Sequence, residues 1–255
     1  RYTYDPAMVK DGRKHLTTDA PATLAVHAGE APDPTTRAHN LPIFQTATFS
    51  FETADEKEAA VDAAAEFTPQ AYFYTRVGNP TTDALEAKIA ALEGAEAALA
   101  SSAGMSSVSA SLFAHLKAGD HLIVADDLFI GTQMLFEGDF PKRNIEVTSL
   151  PITDLAGVKA AIKPNTRVIF AGLLSNPWNR VTDIPALAKL AHDAKAILII
   201  DNTFISPAAV RPLSMGADLV LHASTKWISG HGDALGGPFQ PQEPPCLFIF
   251  GAEVL

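Results

Sequence analysis

Apolar residues recur along the chain at two spacings, one typical of amphipathic helices and one typical of short buried strands. The helical spacing occurs in three segments: PTTDALEAKIAALEG, MSSVSASLFAHLKAG and DIPALAKLAHDAK. Short apolar runs predict strands in five segments: DHLIVAD, NIEVTSL, TRVIFAG, AILIID and ADLVLH. Because these helices and strands alternate, we expect an α/β fold with a mostly parallel sheet covered by helices on both faces.

Both ends of the chain depart from this pattern. Residues 1–55 are rich in proline, threonine and aspartate, so we expect an extended N-terminal arm, followed by an α/β domain over residues 56–255. The arm could lie over a neighbouring subunit or follow its own surface. The segment PFQPQEPPCLFIFGAEVL places four prolines before an apolar run. It predicts a final strand with a missing continuation, and the alternative is an unnatural end that leaves apolar surface open. Because the chain begins without methionine, we expect a processed chain or a fragment.

The amino-acid composition of the chain limits which binding partners and which cellular compartment are expected. The formal net charge of −10 argues against nucleic acid and against anionic membrane surfaces as partners. No apolar run approaches the roughly 18–20 residues that span a bilayer. The single cysteine, Cys246, excludes an internal disulfide framework and fits a reducing compartment. We therefore expect a soluble, cytoplasmic protein.

Polar residues stand where the predicted strands end, which is the edge at which α/β sheets bind ligands. Asp201 follows four aliphatic residues, and a carboxylate near a sheet core needs a cationic partner. A protonated pyridine nitrogen is one such partner, whereas a helix cap or turn is the alternative role for Asp201. His222, His231 and Asp233 match no familiar ligand spacing, so we expect no metal site.

Lys226 has no acidic residue within four positions on either side. That environment suits an amine that forms a Schiff base, since such an amine must not be held in an ion pair. The alternative is an ordinary surface lysine that follows a strand. The sequence lacks the glycine-rich nucleotide-binding motifs and the Gly-x-Ser-x-Gly of serine hydrolases, so neither of those enzyme classes is supported.

Two further segments could bind phosphate. SSAGMSSV places small residues at the start of a helix, whose first amides bind anions, although Ser101 or Ser102 could instead cap that helix. YFYTRVGNPT places Tyr74 and Arg76 before another helix, where together they could grip a phosphate. The alternative for this second segment is an aromatic loop that packs on the core.

In combination, YTRVGNPT, DNTFISP, RPLSMGAD and STKWISGHGD resemble the pyridoxal-phosphate (PLP) enzymes of cysteine and methionine metabolism, the trans-sulfuration family. This family includes cystathionine gamma-synthase, the cystathionine lyases, methionine gamma-lyase and O-acetylhomoserine sulfhydrylase. The resemblance extends from His27 to Gly237. It implies a large cofactor-binding domain like that of aspartate aminotransferase, a smaller C-terminal domain, and homotetramers built as dimers of dimers.

The resemblance also implies roles for individual residues. Lys226 forms the Schiff base and then moves protons, Asp201 pairs with the pyridinium nitrogen, and Phe129 stacks on the ring. The backbone amides of Gly104 and Met105 and the hydroxyl of Thr225 are implied to bind the phosphate. Asn176 is implied to lie near the ring oxygen. Tyr74 and Arg76 are implied to bind the phosphate of a neighbouring subunit.

The chain departs from the family pattern in several places. Phe129 replaces a tyrosine whose hydroxyl assists proton transfer, and Ala223 replaces a serine that holds phosphate. Gly172 and Leu174 stand where the family has an acidic residue and a proline. From the resemblance we also expect that the family's C-terminal domain, with the arginine that binds the substrate carboxylate, is absent after Gly237.

Because SGHGD after Lys226 resembles the gamma-lyases, we expect a PLP-dependent carbon–sulfur lyase that acts on methionine or cystathionine by β- or γ-elimination. One alternative is an O-acetylhomoserine sulfhydrylase or a transferase like cystathionine gamma-synthase. An alternative from another class is a truncated or degenerate protein that binds the cofactor without turnover.

Overall fold

The computed structural model describes residues 20–65 and 72–233, together with the backbone of residues 237–241. The chain forms two compact units that divide between Leu92 and Glu93. The predicted division between an arm, residues 1–55, and a domain, residues 56–255, stays a prediction.

The described residues of the first unit form three helices: α1 (Pro21–His27), α2 (Ala54–Ala65) and α3 (Pro80–Glu93), whose last residue belongs to the second unit. The sequence pattern predicted α3 correctly, including its end before Gly94. It did not predict α1. Pro21 favours the first turn of this helix, but Leu24 is its one buried residue, so the segment shows almost no apolar periodicity. Thr48 and Tyr74 form an isolated antiparallel bridge within this unit.

The second unit is built on a seven-stranded sheet. Its strands are β1 (Leu99–Ser101), β2 (His121–Ala125), β3 (Glu146–Leu150), β4 (Thr166–Gly172), β5 (Ile197–Asp201), β6 (Leu219–Leu221) and β7 (Gly237–Pro241). They lie in the order β1-β7-β6-β5-β4-β2-β3, and β7 alone runs antiparallel to its neighbours β1 and β6. The predicted mostly parallel sheet is therefore confirmed. β7 holds the beginning of the predicted final strand, whereas residues 242–255, including Cys246, lie outside the described residues.

Four α-helices connect the strands: α4 (Gly104–His115), α5 (Ile130–Met134), α6 (Leu155–Ala161) and α7 (Ile184–Asp193). The helix α5 continues as a π-helix over Leu135–Asp139, and short 3-10 turns cover Pro141–Arg143 and Pro212–Met215. As its sequence predicted, α7 begins after Asp183, whose carboxylate accepts a hydrogen bond from the Ala186 amide at 3.0 Å. Within the described residues, every helix is too short or too polar to cross a bilayer.

The helix α4 ends earlier than the sequence pattern indicated, at His115 rather than at Gly119. Leu116 already has extended backbone angles, and the Lys117 amide donates to the side chain of Asp120 at 2.9 Å. Gly119 follows with a φ of +91°, a left-handed conformation that suits glycine. A turn therefore replaces the last helical residues and leads directly into β2.

The core lies on both faces of the central strands. Residues 122–125, 168–171 and 198–200 are all buried apolar residues, which is the continuous pattern expected of a parallel sheet covered on both sides. One polar side chain interrupts it, because His121 is fully buried at the first position of β2. Its ring nitrogens bond to the hydroxyls of Thr166 and Thr148 at 2.7 and 2.8 Å, at the amino ends of the strands. Burial lowers the pKa of His121 below its ordinary value of 6.5, and the charge of Lys163 adds to this effect.

Candidate functional site

Asp201 is the last residue of β5, and it pairs with Gly172 on β4 and Leu221 on β6. Its Oδ1 accepts a hydrogen bond from the Thr203 amide at 2.9 Å. Burial raises the pKa of Asp201 above its ordinary value of 3.8, although the hydrogen bonds from Thr203 and the charge of His222 oppose that rise. A cation placed beside this carboxylate would offset the cost of its burial.

Lys226 lies in the turns that follow β6. The amide of Ala223 donates to the hydroxyl of Thr203 at 2.8 Å, and the Lys226 amide donates to the Ala223 carbonyl at 3.2 Å. These bonds connect the segment that carries Lys226 to the residue that holds Asp201. Lys226 itself is exposed, and the ion pairs among the described residues do not include it. Thr225 stands directly before it in the same turn.

Gly104 and Met105 open α4 directly beside this segment. A Cβ on Gly104 would lie 2.8 Å from the Cβ of Ala223, which is closer than two such carbons approach, so the loop needs glycine here. The first amides of a helix have no intrahelical acceptor and point out of its N-terminus, where they can bind an anion.

Ser101 and Ser102 stand before the start of α4, where capping this helix was the alternative to phosphate binding. Ser101 is buried in β1, and its hydroxyl donates to the Ala103 carbonyl at 2.8 Å. The hydroxyl of Ser102 bonds to that of Ser106 at 3.2 Å. The N-cap residue is Ala103, whose side chain has no atom that could accept from the first amides of α4.

Phe129 stands at the N-cap of α5, and its side chain lies against Gly131. A Cβ on Gly131 would lie 2.7 Å from the Phe129 ring and 3.3 Å from the Met105 sulfur, so the ring and the start of α4 are close neighbours. The residue is 52% exposed. Phe129 and Asn176 both line a cavity of about 410 Å³, together with Trp178 and the strand-end residues Asp126 and Asp127. Asp201, Lys226 and Gly104 are not among the residues that line it.

Tyr74 and Arg76 belong to the first unit, where they contact one another. The guanidinium carbon of Arg76 lies 4.7 Å from the centroid of the Tyr74 ring. Arg76 is exposed, and Tyr74 is partly buried. That Tyr74 and Arg76 bind the phosphate of a neighbouring subunit stays a prediction.

Three residues around Asp201 were not predicted from the sequence. Thr203 holds both the Asp201 carboxylate and the Ala223 amide, as described above. Glu93 and Asn202 are buried with His222, whose Nε2 lies 2.6 Å from Glu93 Oε1. A Thr two positions after a strand-end Asp is a recognisable turn signal for Thr203. No local signal could have found Glu93, because it lies 129 positions from His222.

A family model described as Cys/Met metabolism PLP-dependent enzyme matches residues 22–243 of the chain. The chain belongs to this family. The resemblance stated from the sequence is thereby confirmed, and so is PLP as the cofactor on which the family depends.

Individual members of the family are similar over most of the chain. Cystathionine gamma-synthase of Mycobacterium tuberculosis is 40% identical over 230 residues, which are 90% of this chain and 56% of that protein. L-methionine gamma-lyase of Fusobacterium nucleatum is 43% identical over 218 residues, which are 84% of this chain and 53% of that protein. A crystal structure from Campylobacter jejuni that contains N'-pyridoxyl-lysine-5'-monophosphate matches with a TM-score of 0.80 and 30% identity over 88% of this chain and 54% of that chain. The chain thus spans about half the length of the relatives it matches.

The residues at the edge of the sheet fit PLP in three respects. The close approach of Gly104 to Ala223 leaves backbone amides at a helix start for a phosphate. The half-buried carboxyl of Asp201 suits the cationic nitrogen of the ring. The flat side chain of Phe129 offers a face on which a ring can stack.

Replacing Gly104 with alanine is expected to weaken PLP binding, because the new methyl group collides with Ala223 and forces the start of α4 outward. The strain of such overpacking is about 1–3 kcal/mol. The matched control is Gly138→Ala, since a Cβ on Gly138 meets nothing within 4 Å. An absorbance titration with PLP measures both variants. Equal affinity of Gly104→Ala and Gly138→Ala would contradict the role of this close approach.

Proposed function

We propose that the chain is the cofactor-binding part of a PLP-dependent carbon–sulfur lyase that acts on methionine or cystathionine by β- or γ-elimination. The observation that carries this proposal is the link between Asp201 and Lys226 through Thr203. The amide of Thr203 donates a hydrogen bond to Asp201, and the hydroxyl of Thr203 accepts one from the amide of Ala223. Ala223 stands three residues before Lys226. A carboxylate that can keep the ring nitrogen protonated is thus held at the end of β5, and it is connected to the segment that follows the adjacent strand β6 and carries the amine.

When bound, PLP supplies an electron sink that makes the α-proton of an amino acid acidic. Lys226 is the covalent attachment point for the cofactor and afterwards the base that takes and returns the proton at the α-carbon. The Asp201 carboxylate holds a proton on the ring nitrogen. Amides of Gly104 and Met105 and the hydroxyl of Thr225 bind the phosphate.

Phe129 and Asn176 orient the cofactor in this proposal. The Phe129 side chain stacks on one face of the ring and excludes water from it, and the Asn176 amide contacts the ring oxygen. Because phenylalanine has no hydroxyl, Phe129 cannot donate or accept a proton. Proton transfer at the substrate therefore falls to Lys226.

The proposal extends to assembly and location. Tyr74 and Arg76 serve the phosphate of a neighbouring subunit in a homotetramer built as a dimer of dimers, and the enzyme acts in the cytoplasm. The contact between the guanidinium of Arg76 and the ring of Tyr74 supports their acting together on one anion.

The second candidate function is a transferase that builds cystathionine or homocysteine from an activated homoserine. The observation that favours it is the 40% identity to cystathionine gamma-synthase of Mycobacterium tuberculosis. The two candidates share every residue named above and differ in the nucleophile that follows elimination.

An assay of paired reactions separates the candidates. A lyase releases ammonia and a 2-oxo acid from methionine or cystathionine, whereas a transferase consumes O-acetyl- or O-succinyl-homoserine together with cysteine or sulfide. We expect the first pattern. The second pattern would replace the lyase by the transferase, and a yellow protein that is inert in every reaction would indicate cofactor binding without turnover.

A further inference from the structure

Three buried polar side chains near the proposed cofactor site are connected to one another by hydrogen bonds. Glu93, Asn202 and His222 are 1%, 0% and 1% exposed. Glu93 Oε1 accepts from His222 Nε2 at 2.6 Å and from Asn202 Nδ2 at 3.3 Å. Asn202 Nδ2 also donates to the Val210 carbonyl at 2.9 Å, which fixes the orientation of the amide.

Each member of this cluster keeps one side-chain atom without a partner among the described residues: Glu93 Oε2, Asn202 Oδ1 and His222 Nδ1. Unpaired buried polar atoms are rare, because each costs the free energy of its lost hydration. An apolar core at this place would avoid that cost. The cluster therefore calls for a role beyond packing.

The cluster joins the two strand ends that carry the site. Asn202 follows Asp201 directly, and its amide donates to the Leu221 carbonyl at 2.8 Å. His222 lies between Leu221, which pairs with Asp201, and Ala223, whose amide bonds to Thr203. A contact that holds the side chain of His222 in place therefore also holds the backbone where the chain leaves β6 and turns toward Lys226.

We propose that His222 is a positioning residue of the cofactor site: anchored on Glu93 through Nε2, it holds the segment that carries Lys226 in register with Asp201. This inference rests on the proposed function. Without the anchor, residue 222 can shift, and the Ala223–Thr203 hydrogen bond and the approach of Gly104 to Ala223 shift with it. The position of His222 also acts on Asp201, since the charge of His222 lowers the pKa of that carboxyl against the effect of burial.

The other fully buried histidine of the sheet supplies the control. His121 is as buried as His222 and makes two side-chain hydrogen bonds, yet it lies at the amino ends of the strands. His222→Leu and His121→Leu both remove a buried imidazole, so both are expected to lower the melting temperature. Only His222→Leu is expected to raise the dissociation constant of PLP, by about tenfold.

Hydrogen exchange of backbone amides in the cofactor-free protein provides a measurement that does not depend on PLP. In His222→Leu we expect exchange at the amides of Asn202, Ala223 and Lys226 to accelerate more than at other amides of the sheet, whereas in His121→Leu these three amides should change no more than the rest of the sheet. His222→Gln is expected to restore both readouts, because the glutamine amide reaches the position of Nε2. Equal losses of PLP affinity in the two leucine variants at equal melting temperature, or unchanged exchange at the three amides, would overturn the proposal.

The proposal can still be tested if His222→Leu does not fold or if the wild-type chain binds no PLP. If His222→Leu does not fold, His222→Asn replaces it, since the shorter amide does not reach Glu93, and it is compared with His222→Gln in both measurements. If the wild-type chain binds no PLP, the proposed function fails, whereas the exchange rates still decide whether His222 holds the segment.

Discussion

Replacing Lys226 with alanine is expected to abolish covalent attachment of PLP and to lower turnover by at least about 10³-fold. The amine is the group that both attaches the cofactor and moves the α-proton in the proposed reaction, so alanine removes two functions at once. The side chain is exposed and makes no ion pair among the described residues, so the substitution should leave the fold intact. Absorbance in the visible range, and borohydride reduction followed by peptide mapping, measure the loss directly.

The matched control is Lys189→Ala. Lys189 is an exposed lysine of α7 whose amine pairs with Asp193 at 2.7 Å. This variant should keep the visible absorbance, the labelled peptide and the turnover of the wild-type chain. Borohydride labelling of a different lysine, or undiminished labelling in Lys226→Ala, would refute the assignment of Lys226.

The sequence predicted β2 to β6 correctly, because each depends on a short local apolar pattern, but it did not predict the three-residue β1. The run ILIID needed only its apolar character to indicate β5, and Asp183 before a helical period located the start of α7. The predicted end of α4 at Gly119 was wrong, because the side chain of Asp120 accepts from the Lys117 amide and Leu116 already leaves the helix.

The site was harder to predict, because it depends on which strands are neighbours. Asp201 and Lys226 lie 25 positions apart, and each alone was compatible with an ordinary turn or surface role. Only the adjacency of β5 and β6 joins them, and strand order follows from packing of the whole sheet. Glu93 is the extreme case, because nothing near the end of α3 indicates that its carboxylate meets His222.

Asp201→Asn is expected to lower turnover by about 10²–10⁴-fold while the chain keeps its fold. Asparagine retains the oxygen that accepts the Thr203 amide at 2.9 Å. It loses the negative charge that holds a proton on the ring nitrogen, and the cofactor then withdraws electrons less strongly. Steady-state rates with methionine or cystathionine measure this loss.

The same substitution has an opposite effect on stability. Because burial raises the pKa of Asp201 above 3.8, the folded chain binds this proton more tightly than the unfolded chain. The stability that this carboxyl contributes is therefore full at acid pH and is lost as the pH rises through the folded pKa. Asparagine has no such loss, so cofactor-free Asp201→Asn should melt at a higher temperature than the wild type at pH 7, and the difference should close in acid.

Asp183→Asn distinguishes this effect from the removal of any carboxylate. Asp183 is an exposed helix cap, and asparagine caps a helix about as well as aspartate. Its melting temperature and turnover should stay near those of the wild type across the same pH range. A variant Asp201→Asn that is both less stable and fully active would contradict the role given to this carboxylate. A variant that is more stable and nearly inactive is the result expected of a residue whose burial in the free chain costs stability and whose charge serves the cofactor.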